Sequence, residues 1–223
     1  MQMLSKRLSA VLHYIEGDVL ADIGTDHGYL PIEAVKAGKC KCAIACDVNK
    51  GPINTAKKNI QEAGLSHLIE TRLGDGLKPI KQDEACCITI SGMGGTLMYK
   101  IISAEMGKAK NAKLLILQPQ HDVEGLRRNL HVAGFGIYAE TLVEEEAKFY
   151  IVLATRYVCL ENVAPWTDKE YFMGKFLTKN QELLRFYQHE QRKINKYVDS
   201  ISDLNQKAIV QKKLRWIHDS IHM

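Results

Sequence analysis

Asp22-Ile23-Gly24-Thr25-Asp26-His27-Gly28 gathers two carboxylates, a hydroxyl and an imidazole on a turn with two glycines. It follows the apolar run Val19-Leu20-Ala21 and leads into a helical pattern from Pro31 to Val35. Strand, glycine turn and helix start, in that order, present free backbone N–H groups and the positive end of a helix. The glycines let the backbone come close to a ligand. Pro31 suits a first helical turn, where its missing N–H removes no bond. A polar or anionic ligand group is the chemistry this turn serves.

Four more segments repeat the logic after later apolar runs. Asp47, followed by Val48 and Asn49, lies 23 residues beyond Gly24, the place of an acid that accepts from both hydroxyls of a ribose. Each such charge-assisted bond contributes ~1.5–3 kcal/mol. Asp75 stands between Gly74 and Gly76, where it can accept from an exocyclic amine such as adenine N6. Ser91-Gly92-Met93-Gly94-Gly95 and Gln118-Pro119-Gln120-His121 complete the set. Asp47 as a helix cap and Asp75 as a turn residue are the plainer readings of each acid alone. Their joint occurrence, in order, points to a nucleoside cofactor.

The elements that must position these residues follow from periodicity. Leu4, Leu8, Val11, Leu12 and Ile15 mark an opening helix that ends by Gly17. Short apolar runs at Val19–Ile23, Lys41–Cys46, Ile69–Leu73, Ala85–Ile90 and Leu114–Gln118 then alternate with helical segments at Leu30–Ala37, Pro52–Ala63, Thr96–Met106 and Val123–Ala133. That alternation predicts an α/β fold with a mostly parallel sheet covered on both faces. Gly136–Val143 and Tyr150–Tyr157, around Glu144-Glu145-Glu146, read as an antiparallel hairpin at the sheet edge. In an open parallel sheet, ligands bind outside the carboxyl ends of the strands.

From Val163 the texture changes, and the chain divides into residues 1–162 and a helical domain, residues 163–223. Thr167-Asp168-Lys169-Glu170 is a capping box. Phe172/Phe176, Leu183/Tyr187 and Ile194/Val198 recur every eleven residues, which keeps one apolar stripe on a long helix. Val210, Leu214, Ile217 and Ile221 form a second stripe. Asp199–Asn205 between them is either the turn of a coiled-coil-like hairpin or a kink in one helix.

Of the 223 residues, 46% are hydrophobic, ample for a packed core. No apolar run approaches a membrane span, and Met1–Arg7 lacks the pattern of a secretory leader. A cytoplasmic protein is expected. The six cysteines contain no C-x-x-C pair and read as reduced, buried thiols with no metal. The net charge of +4 lies in the last quarter, where 11 basic residues face 7 acidic ones. That bias permits a polyanionic partner.

Neither G-x-G-x-x-G nor G-x-x-x-x-G-K-[ST] is present, which argues against NAD and a phosphate-binding loop for ATP. The set resembles class I S-adenosylmethionine-dependent methyltransferases, except that Asp26 stands at the central glycine of their first motif. Asp-Ile-Gly-Thr-Asp-His-Gly-Tyr-Leu-Pro, with Ile90-Ser91-Gly92-Met93-Gly94-Gly95 and Leu117-Gln118-Pro119-Gln120, is similar to the bacterial tRNA (adenine-N1) methyltransferases called TrmK. The resemblance runs end to end. It implies a Rossmann-like class I sheet with a C-terminal helical domain, S-adenosyl-L-methionine as cofactor, tRNA as partner and the adenine at position 22 as target. A monomer is expected.

The implied chemistry is compatible with the residues. Methyl transfer from a sulfonium is an in-line displacement in which the enzyme mainly positions its reactants. Ser91-Gly92-Met93-Gly94 replaces the Asn/Asp-Pro-Pro-aromatic motif often carried by enzymes that methylate an exocyclic amine. A ring nitrogen attacks with its own lone pair, so no general base is required. Asp22, Gly24, Thr25, Asp26, His27, Gly28, Asp47, Val48, Asn49, Asp75, Gly76, Ser91, Gly92 and Met93 are the expected cofactor contacts. Asp26, His27 and Tyr29 are expected at the reaction centre, with Tyr29 stacking on a splayed-out base. The expected RNA-binding residues are Lys6, Arg7, Arg127, Arg128, Arg185, Arg192, Lys193 and Lys196, with Lys212, Lys213 and Arg215 as further candidates. Two other functions fit less of this pattern: a methyltransferase of a small molecule or protein, and a non-catalytic RNA-binding module on the same fold.

Overall fold

The computed structural model describes residues 4–162 and 165–222. The expected domain boundary at Val163, and Met1–Met3 of the segment read for a leader, lie outside the described residues. Helix α1 (Lys6–Tyr14) opens the chain, capped by Ser5, whose hydroxyl accepts from Leu8 N–H. Next come β1 (Val19–Ile23), α2 (Tyr29–Lys36), β2 (Cys42–Asp47), α3 (Lys50–Glu62) and β3 (Ile69–Leu73). Then follow β4 (Cys87–Met93), α4 (Gly95–Ala104), α5 (Met106–Asn111), β5 (Leu114–Pro119) and α6 (Val123–Val132). The hairpin of β6 (Phe135–Glu145) and β7 (Lys148–Tyr157) completes a seven-stranded sheet in the order β3-β2-β1-β4-β5-β7-β6.

Only β7 runs against its neighbours, so the antiparallel strand lies one place in from the edge and β6 forms the edge itself. Strand residues alternate between two cores. Leu20 and Ile116 face Val11, Leu30 and Ile60 on one side, while Ala21, Leu115 and Leu117 face Met98, Ile102 and Leu126 on the other. Burial on both faces explains why the central strands read as continuous apolar runs.

The second core continues into the C-terminal helices α7 (Asp168–Met173), α8 (Gln181–Asn195) and α9 (Leu204–His222). Thr167 and Glu170 close the capping box at α7. The single long stripe expected from Phe172 to Val198 is not formed. Gly174, at φ +90°, ends α7 soon after its start, and Phe176 lies outside any helix. Captured backbone explains the break: buried Arg127 donates to the carbonyls of Tyr171 and Phe172, and buried Glu140 accepts from the N–H groups of Lys175 and Phe176. The polar segment does hold a turn: a short 3-10 helix at Val198–Ser200 separates α8 from α9 as a helical hairpin.

Candidate active site

The loops after β1, β2, β3 and β4 share one end of the sheet. Gly24 and Thr25 N–H groups both donate to Cys46 O at 2.8 Å, and Gly74 N–H donates to Asp47 O at 2.9 Å. Backbone bonds therefore lock the loops after β1 and β3 to the end of β2. Gly24 and Gly28 sit at φ +77° and +71°, a region that side chains disfavour. A Cβ on Gly24 would also collide with Met93 Cε, so this glycine admits Met93 against the loop. A Cβ on Gly28 would press on Ala56 of α3.

A cleft of 630 Å³ lies over this end. It brings together Asp22, Gly24, Thr25, Asp26, His27, Gly28, Tyr29, Ser91 and Gly92. Asp22 is buried and accepts from Thr89 Oγ1 at 2.7 Å. Burial pushes its carboxyl above the usual range, and the Thr89 bond opposes that. Asp26 Oδ2 lies 3.0 Å from His27 Nε2, and the His27 and Tyr29 rings stack with centroids 5.2 Å apart. Asn59 holds the turn through His27 O at 2.9 Å.

Asp75 and Gly76 line a neighbouring hollow of 130 Å³ with Leu97 and Ile101. Lys78 sits 2.7 Å from Asp75 and holds its carboxyl below the usual range. Asp47, Val48, Asn49 and Met93 line neither space. Asp47 Oδ1 accepts from Asn49 N–H at 2.7 Å, between the two hollows in strand order, and Val48 is exposed. The expected cofactor residues thus share a sheet end, but only some of them line one of the two cavities.

The loop at Ser91–Gly95 is laced to the segment after β5. Gly92 N–H donates to Gln118 Oε1 at 3.2 Å, Gln120 N–H to Met93 O at 2.8 Å and Gly95 N–H to His121 O at 2.9 Å. Gln118 is fully buried and also receives Arg7 at 3.0 Å. Arg7, expected on an RNA-binding surface, instead forms part of the cleft wall with Leu4, Ser5 and Leu8. Gln120, from the segment singled out after the fifth apolar run, lines the cleft as well, as do Glu145 and Glu146, which sequence reasoning does not single out as site residues. Their signal is the triple acid run, which β6 delivers to the same sheet end as the glycine loop.

The fit of a polar ligand is visible in two orphaned groups. Thr25 Oγ1 and Ser91 Oγ are buried without a hydrogen-bond partner, and both residues line the cleft. Buried hydroxyls without partners are uncommon. Together with the glycine-lined loop, they suit the amino-acid end of a nucleoside sulfonium.

The basic candidates separate clearly. Arg127 is 1% exposed and paired with Glu140 at 2.6 Å, so its assignment to an RNA surface is corrected: the guanidinium is consumed inside the protein. Arg128 is half-buried between Glu124 and Asp168, Arg185 pairs with Glu144, and Lys193 with Glu190. Lys6 is exposed, and its backbone N–H donates to Glu145 Oε1 at 2.6 Å. Lys213 pairs with Glu124, and Lys212 lies over Trp216. Arg192, Lys196 and Arg215 are exposed with no acidic partner among the described residues.

Burial pushes the thiols of Cys46 and Cys87 up to about 12 and that of Cys40 to about 11. They stay protonated, as packing groups. Among the described residues no three His, Cys, Asp or Glu side chains gather as a metal site, and no helix is long and apolar enough to cross a membrane.

Sheet order, glycine loop and cleft define a class I methyltransferase domain, and residues 4–153 match the methyltransferase domain family. A tRNA (adenine(22)-N(1))-methyltransferase of Bacillus subtilis is 35% identical over 99% of this chain and 94% of its own length. A Streptococcus pneumoniae structure in complex with S-adenosyl-L-methionine superposes with a TM-score of 0.89 at 35% identity, covering 99% of this chain and all of that one. The M. capricolum TrmK structure with S-adenosyl-homocysteine gives 0.84 at 27% identity, covering 99% of each chain. The chain belongs to the tRNA (adenine(22)-N(1))-methyltransferase family.

Proposed function

We propose that the protein transfers a methyl group from S-adenosyl-L-methionine to N1 of the adenine at position 22 of tRNA. The observation that carries this reading is the 630 Å³ cleft, in which the glycine loop, Ser91, Gly92 and two orphaned hydroxyls converge. Bound cofactor supplies an electrophilic methyl group on a sulfonium. The chain itself supplies position and charge.

In this reading Thr25, Asp26 and Ser91 hold the polar amino-acid end, Asp47 the ribose, and the hollow at Asp75 and Gly76 the adenine ring. Asp22, kept from solvent and bonded to Thr89, fixes the start of the loop. Tyr29, already stacked on His27, offers an aromatic face for the target base. Met93 packs on Gly24 and fixes the loop. Residues 1–162 form the catalytic domain and residues 163–223 a helical unit. That unit meets tRNA through Arg192, Lys196 and Arg215. The protein acts in the cytoplasm, as a monomer and without a metal.

Incubation of unmodified tRNA with enzyme and cofactor, followed by nucleoside analysis, tests the reaction. The expected product is N1-methyladenosine at a single position. Methylation of another atom, or none, overturns it.

A further inference from the structure

The cleft carries an unexpected excess of negative charge. Asp22, Asp26, Glu145 and Glu146 line it, against Arg7 and His27. A passage for an RNA backbone is ordinarily basic, because phosphate neutralisation dominates affinity. These acids therefore answer to something other than phosphate.

Methyl transfer to a ring nitrogen provides the reason. The N1 lone pair forms the new N–C bond, and the electrons of the breaking C–S bond return to sulfur. The positive charge passes from sulfonium to purine and spreads onto the exocyclic amine. A carboxylate beside that amine stabilises charge where it develops.

Three of the four acids are already engaged. Asp22 accepts from Thr89, Asp26 faces His27, and Glu145 accepts from Lys6 N–H. Glu146 has no hydrogen-bond or ion-pair partner among the described residues. It occupies the turn between β6 and β7 at φ +49°, followed by Ala147 at φ +59°. Independently of the acids, the buried, unpartnered Thr25 hydroxyl marks the same cleft as one that receives a polar ligand.

We infer that Glu146 accepts a hydrogen bond from the exocyclic amine of the target adenine and so selects adenine over other purines. Adenine offers an N6 donor beside N1, whereas guanine and hypoxanthine offer the O6 acceptor there. A carboxylate attracts the first and repels the second. Donation from N6 to an anion also makes N1 more nucleophilic and stabilises the cationic product. This assignment rests on the proposed adenine-N1 reaction, and it leaves Asp26 to the cofactor.

The test compares wild type with Glu146→Gln and Glu146→Ala on two tRNAs, one with adenosine and one with purine riboside, which lacks the amine, at the target position. Wild-type methylation of the adenosine tRNA reports the reaction itself; its absence removes the proposed function and this assignment together. With that reaction present, Glu146→Ala is expected to slow single-turnover methylation roughly 10- to 100-fold on adenosine. On purine riboside it should match wild type. Glu146→Gln should lie between wild type and Glu146→Ala on adenosine. Cofactor affinity by calorimetry should stay unchanged in both variants. Equal slowing on both tRNAs, or no slowing on adenosine, overturns the role of Glu146.

Discussion

The loop end of the sheet and the helical cap that starts at Trp166 keep their shapes by different means. At the loop end, backbone groups bond one another: Gly24 and Thr25 to Cys46, Gly74 to Asp47, Gln120 to Met93, Gly95 to His121. The Thr25 and Ser91 hydroxyls there stay free to meet ligands. At the cap, one buried ion pair does the corresponding work. Arg127 and Glu140, 1% and 5% exposed, hold both carbonyls and N–H groups of residues 171–176. His131 shares a hydrogen bond with Tyr171 at 2.8 Å, and Trp166 packs edge-on to His131. A frame of backbone bonds tolerates changes of side chain, whereas a joint made of two charges depends on both.

The largest effect should therefore appear at the cap. Arg127→Met strands Glu140 in the interior and should lower unfolding stability by about 3–5 kcal/mol, measured by urea denaturation. Adding Glu140→Gln should recover part of this, because a neutral amide oxygen still accepts from Lys175 and Phe176. If Arg127→Met unfolds like wild type, the contrast between the two regions fails.

At the loop end the expected change is in function. Asp26→Ala should reduce turnover by more than about tenfold and weaken cofactor binding by a smaller factor. Turnover within about threefold of wild type would remove Asp26 from the reaction centre.

Glu84 sharpens the comparison, since it is a side-chain pair within the sheet half. Arg72 binds Glu84 at 2.7 Å, together with Pro79 O, and braces the segment that carries Asp75. The Arg72 guanidinium holds the Glu84 carboxyl at about 2, below its usual 4.5. The stability this pair contributes is thus complete above pH 4.5 and lost as the pH falls through about 2. Glu84→Gln should flatten that acid limb in thermal melts and leave a smaller loss at neutral pH.

The smallest effect concerns the exposed cations. Arg192→Ala with Lys196→Ala should weaken tRNA binding and lower the slope of log affinity against log salt by about one for each phosphate no longer neutralised. Cofactor affinity should not move. An unchanged slope would place RNA elsewhere.

How much is legible in the sequence follows the same division. Strands β1 and β5 start where the apolar runs place them, because strands buried on both faces leave an uninterrupted signal. The glycine loop, Ser91 and Gly92 are legible for a related reason: backbone constraints recruit particular residue types. The cap is less legible. The eleven-residue stripe hides Gly174, whose effect depends on Arg127 and Glu140 more than thirty residues away. Arg127 is misplaced by sequence reasoning because composition cannot distinguish a solvated guanidinium from one sealed against a carboxylate. Glu145 and Glu146 escape it because only the pairing of β6 and β7 beside β5 shows which end of the sheet their turn reaches.

That pairing has a consequence for the growing chain. One cleft wall depends on contacts between Arg7 and Gln118, 111 residues apart, and between Lys6 and Glu145, 139 residues apart. A nascent chain that stops before the hairpin has its glycine loop but only half an enclosure. Competence to methylate must therefore emerge late in synthesis, after most of the polypeptide has left the ribosome.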